Sequence, residues 1–103
     1  MNNETRDKLK TISVATLATA LYKRGLRNQV IQGVHPLGYK GTNMVGPAFT
    51  LRYMPAREDR NQLVEFRNPA HPQRVAIETR PPGHVMVIDS RKDASAASAG
   101  DIL

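Results

Sequence analysis

Asp89, Arg91, Lys92 and Asp93 stand close together directly after the apolar run Val85 to Ile88. A buried strand that hands over to a charged loop is a common way to place carboxylates and cations at a site. The cluster can therefore serve catalysis, and it can equally be a turn that caps and solubilises the strand. Gly100, Asp101, Ile102 and Leu103 form a second candidate. Successive backbone N–H groups at a helix start can hold a carboxylate or phosphate, and a glycine lets the ligand approach closely. Every helix start has free N–H groups of this kind, so a plain helix beginning accounts for the segment as well. His35, His71 and His84 lack the i,i+3 or i,i+4 spacing that puts two imidazoles on one helix face. With no cysteine in the chain either, no histidine- or cysteine-ligated metal site is expected.

The charge balance narrows the choice of partner. Fifteen Lys and Arg against nine Asp and Glu give a net charge of +6, which suits an anionic partner without naming one. The basic residues are interleaved with acids and no aromatic residues are spaced to stack on bases, which speaks against nucleic acid. Neither GxxxxGK[ST] nor GxGxxG occurs, so no nucleotide loop is expected. The longest apolar runs fall far short of the roughly 18 residues that a membrane span needs. Met1 to Asp7 carries both signs of charge and no apolar stretch, so no signal peptide is expected, and a cytoplasmic protein fits.

The elements that must position these groups follow from the hydrophobic pattern. Ser13 precedes Val14, Leu17, Ala18 and Leu21, an amphipathic stripe that predicts a helix over 13–24 with Ser13 as its N-cap. Lys23 and Arg24 suit its C-terminal end, and Gly25 sits where a left-handed residue is wanted. From Asn28 to Gly46, glycines and Pro36 leave room for only a short strand such as Val30-Ile31. Residues 45–54 alternate as a strand does, with Pro47 marking an edge or bulge at its start. Pro55 to Pro72 reads as a polar excursion with one short turn of structure near Leu63, Val64 and Phe66. Gln73 to Thr79 can form a short helix that must stop before Pro81, Pro82-Gly83 turns the chain, and 85–89 is a buried strand. A further helix is expected to begin near Gly100. With two Phe, three Tyr and no Trp, the core must come from smaller apolar residues. One small domain of this kind is marginal and calls for oligomer contacts or more chain.

Several strings then occur in a telling order. Ser13-Val14-Ala15-Thr16-Leu17, Arg24-Gly25-Leu26-Arg27, His35-Pro36-Leu37 and Met44-Val45-Gly46-Pro47-Ala48-Phe49-Thr50-Leu51 together resemble the opening of the RraA-like family. Pro82-Gly83-His84-Val85-Met86-Val87-Ile88-Asp89 is similar to that family's Pro-Gly-Asp-Val-Leu-Val-Ile-Asp, and Ala96 to Leu103 is similar to its glycine-led helix start. The resemblance covers nearly the whole chain. His84 replaces the usual acid of the Pro-Gly-Asp turn, and Thr19 stands where many members carry Asp. The loop from Arg57 to Pro72 looks like a feature of a subfamily often labelled as ribonuclease activity regulators.

The resemblance implies an α/β fold of three layers, the ββα swivelling domain, assembled as a homotrimer or hexamer with its site at a subunit interface. It implies two kinds of function: a divalent-metal-dependent lyase of the aldolase type acting on 4-hydroxy-4-methyl-2-oxoglutarate or related oxo-acids, or a non-catalytic regulator that binds a ribonuclease. In the aldolases, backbone amides of the segment matching Gly100, Asp101, Ile102 and Leu103 bind the carboxylate of a pyruvate-like 2-oxo-acid. Asp101 would serve the proton-transfer network as a general acid or base. The cofactor would be magnesium or manganese. Its direct ligand and the enolate-stabilising Arg belong to an Arg-Asp pair roughly 20 residues past the glycine, beyond Leu103. Residues 1–103 are thus expected to be a partial, truncated RraA-like domain, inactive as an aldolase and lacking a metal ligand of its own.

Overall fold

The computed structural model describes residues 1–38, 41, 43–55, 57 and 59–93. The chain divides into two compact units, Met1–Gly46 and Pro47–Leu103. The first unit opens on helix α1, Asn3–Lys10, which the hydrophobic pattern did not announce. Its stabilisation is polar and local. The Asn2 side chain accepts from Thr5 N at 2.8 Å, and Lys8 pairs with Glu4 at 2.7 Å one turn away. Glu4 lies in the first turn and Lys8 and Lys10 in the last, as the helix dipole favours.

Helix α2 spans Val14–Lys23, with Ser13 Oγ accepting from Thr16 N at 3.1 Å. Leu17, Ala18 and Leu21 of the predicted stripe are half-buried, whereas Val14 remains exposed. The helix ends in a Schellman motif: Gly25 N donates to Tyr22 O at 2.9 Å and Leu26 N to Leu21 O at 3.0 Å. Gly25 has φ 84°, a backbone angle that a side chain resists. The expected strand at Val30-Ile31 does not form. Asn28 and Gly33 on either side adopt positive φ, and no described strand lies alongside to accept the ladder. Further on, Asn43 Nδ2 donates to both Lys10 O at 2.9 Å and Ile12 O at 3.1 Å, supplying partners to the carbonyl end of α1.

The second unit is organised by a parallel pair, β1 over Ala48–Arg52 and β2 over Val85–Asp89. Ala48 lies opposite Val85 and Arg52 opposite Asp89. Val85 N donates to Pro47 O and Tyr53 N to Asp89 O, each at 2.9 Å, closing the ladder at its two ends. β1 is shorter than the alternation over 45–54 suggested, because its partner is only five residues long. β2 is half-buried rather than buried, as two strands alone leave much of a sheet open to solvent.

Parallel strands need a crossover. Here it holds a 3₁₀ turn over Leu63–Arg67 and helix α3 over Pro72–Thr79. Pro72 occupies the first helical position, where its missing N–H costs nothing. Pro81 follows closely after the helix, Gly83 turns with φ 78°, and Arg80 Nη1 braces the turn by donating to His84 O at 2.7 Å. Ala76 of α3, 7% exposed, is the one buried apolar residue among those described. Helices and a parallel strand pair make this an α/β chain.

Two substitutions test these local supports. Ser13→Ala removes the cap of α2 and is expected to destabilise it by about 1 kcal/mol, read as a lower urea midpoint by circular dichroism; an unchanged midpoint would show the cap idle. Asn43→Asp replaces both N–H donors with oxygen, so backbone amides in the last turn of α1 should exchange faster with solvent, while those of α3 should not change.

Candidate functional site

The C-terminal ends of β1 and β2 bring together charges that are distant in sequence. Arg52 closes β1 and Asp89 closes β2, and the parallel register sets them side by side. Arg52 Nε donates to Asp89 Oδ2 at 3.2 Å, and Arg91 N donates to the other carboxylate oxygen at 2.9 Å. Ligands of α/β sheets bind at this end of the strands.

The chain leaves β2 through a tight turn. Asp93 N donates to Ser90 O at 3.1 Å, and the two residues between, Arg91 and Lys92, have φ 59° and 63°. Positive φ at both central positions is the pattern of a type I′ turn, in which Gly, Asn and Asp are usual. Arg and Lys hold it against a backbone preference. Asp89 supports the turn by fixing the amide of Arg91.

This arrangement decides the chemistry open to Asp89. The Arg91 amide hydrogen bond above all, helped by the nearby Arg52 guanidinium, holds its carboxyl below the usual carboxylate value against the opposing effect of desolvation. A carboxylate so stabilised is a weak base and stays ionised at neutral pH, so it suits an anchor better than a proton shuttle. Tyr53, next to Arg52, has its phenol pushed up by partial burial and stays protonated.

Of the residues singled out from sequence, Asp89 and Arg91 come together in this corner, with Lys92 and Asp93 in the same turn. Gly100, Asp101, Ile102 and Leu103, with the helix expected to start there, lie outside the described residues. Thr19 lies in α2, its hydroxyl donating to Ala15 O at 3.0 Å. His84 begins the approach to β2, with its Nδ1 buried and without a partner among the described residues. Arg52 was missed in the sequence. The signal was there, since two strands that end in opposite charges align them when paired in parallel, but the register is a property of neither strand alone.

The described residues do not suit a divalent metal ion. No three of their His, Asp and Glu side chains cluster for one, and the carboxylate at the sheet's end is already engaged by Arg52 and Arg91. No described helix is long and apolar enough to cross a membrane.

Asp89→Asn tests the corner through pH. Because the folded protein holds this carboxyl below its ordinary value, its stabilisation is complete above the unfolded-state value and is lost as pH falls through the lowered one. The Asn variant should melt below the parent protein at neutral pH, with the gap closing on acidification. A gap constant across pH would mean that the charge is not what Asp89 contributes.

Neither the comparison with curated proteins nor that with solved structures finds a match. A family model described as RraA-like, Aldolase/RraA, does match, over residues 14–103. The match begins at the first residue of α2, takes in both strands and their crossover, and runs through the glycine-led segment. With that share of its length matched, the chain belongs to the RraA-like family.

Proposed function

We propose that this RraA-like chain binds a small 2-oxo-acid of the pyruvate type, with the acid's carboxylate on the backbone N–H groups of Gly100, Asp101, Ile102 and Leu103. The observation that carries this reading is the family match, which extends over those four residues. Its support in the fold is the placement of Arg52, Asp89 and Arg91 at the strand ends, where ligands of α/β sheets bind.

The reaction is retro-aldol cleavage of a 4-hydroxy-2-oxo-acid such as 4-hydroxy-4-methyl-2-oxoglutarate. The hydroxyl gives up its proton, its carbon becomes the ketone of a released 2-oxo-acid, and the adjacent carbon–carbon bond breaks. Its electron pair passes to the carbon beside the ketone, giving an enolate, which takes up a proton to become pyruvate. Asp101 carries the proton in this scheme, as a general acid or base. The three-layer swivelling fold, a homotrimeric or hexameric assembly and the magnesium or manganese ion are parts of the same proposal. The described residues provide no ligand set for that ion.

The family resemblance assigns the cation facing the enolate to an Arg-Asp pair further along than Leu103. Pyruvate binding is the part of this scheme that Gly100 to Leu103 serve. Titrating the ¹⁵N-labelled polypeptide with pyruvate should move the amide signals of Gly100 to Leu103 and leave those of α1 in place. Amides of 100–103 that ignore pyruvate would overturn the assignment. A ribonuclease that shifts the polypeptide's signals where pyruvate does not would favour the regulatory reading.

A further inference from the structure

His71 stands at the junction of two elements of the crossover. It is the N-cap of α3, and its Nδ1 accepts from Gln73 N at 3.3 Å. Its ring also meets the ring of Phe66, on the preceding 3₁₀ turn, with centroids 4.9 Å apart and planes tilted by 42°. The backbone leading to it is set by Asn68, whose side chain accepts from Ala70 N and whose carbonyl accepts from His71 N, both at 2.9 Å.

An imidazole differs from the usual caps in that it can lose its acceptor. To accept from Gln73, Nδ1 must carry a lone pair, which requires the neutral ring protonated on Nε2. Protonation turns Nδ1 into a donor that points at another donor, and it places a positive charge at the positive end of the helix dipole. The charged groups on the two elements it joins are Glu65 and Arg67 on the 3₁₀ turn and Arg74 and Glu78 on α3, the last two paired at 3.8 Å. None of the ion pairs among the described residues includes His71. Attraction between an imidazolium and the face of Phe66 would keep the rings together, but it does not restore the lone pair on Nδ1. Helix α3 has only eight residues and Pro72 supplies no N–H, so the lost cap falls on an element with little in reserve.

We propose that His71 is a pH-sensitive cap, holding the first turn of α3 when neutral and releasing it when protonated. The switch is local: on protonation of His71 the Gln73 amide opens to solvent, loosening the start of the helix that links β1 to β2.

The test is an NMR titration of the whole chain from about pH 8 to about pH 5, the range over which imidazoles ordinarily change charge. Two signals are followed, the His71 ring and the hydrogen-exchange protection factor of the Gln73 amide, the latter corrected for the intrinsic pH dependence of exchange. Protection at Gln73 should fall about fivefold, the worth of an ordinary cap, in step with the His71 ring. His71→Asn keeps an acceptor that cannot be protonated in this range, so its Gln73 protection should stay flat. Either of two results would overturn the proposal: unchanged Gln73 protection in the parent protein while the His71 ring titrates, or the same fall in the Asn variant. The parent titration decides the matter alone if the variant does not fold.

Discussion

Parallel pairing between β1 and β2 obliges the chain to travel from one end of the sheet back to the other before the second strand can begin. The 3₁₀ turn, α3 and the Arg80 to His84 turn are the return path, and their caps and proline stops are what make that path definite. The same pairing sets Arg52 beside Asp89. Had the strands run antiparallel, these residues would sit at opposite ends of the sheet. The charged corner thus follows from strand direction.

Little apolar burial backs this arrangement. Ala76 is the one buried apolar residue described, while Leu37, Met44, Met54 and Leu63 are each at least 80% exposed. Stability within each unit therefore leans on short-range devices: caps at Asn2, Ser13 and His71, the Schellman end of α2, and one-turn ion pairs such as Lys8 with Glu4. Each contributes modestly, and each acts over a few residues.

How far the sequence disclosed the fold depended on where the signal was stored. Helix α2 was legible because both its ends are chemically marked, by Ser13 and Gly25, and an apolar stripe runs between them. Helix α1 was not, since Leu9 is its one apolar side chain and the helix rests on polar contacts instead. The strand at 45–54 was overdrawn because alternation continues past the point where a partner exists. Val30-Ile31 has β-forming side chains but no described strand to pair with. At the site, Asp89 and Arg91 could be picked out from their place after an apolar run, whereas Arg52 needed the register, which joins residues 37 apart. The family was legible from ordered strings spread along the chain, and the match over residues 14–103 shows it.

The turn after β2 also bears on how the chain can be cut. Arg91 and Lys92 are an exposed basic pair, the kind of sequence that trypsin-like proteases take, yet both residues are held in the left-handed region by a hydrogen bond across the turn. Such proteases thread their substrates in extended form, so the peptide bonds here become available only when the turn opens. Where opening is fast compared with cutting, the cleavage rate follows the open population. An exposed cleavage sequence at this position thereby acts as a clock for the opening of the corner that Asp89 holds shut.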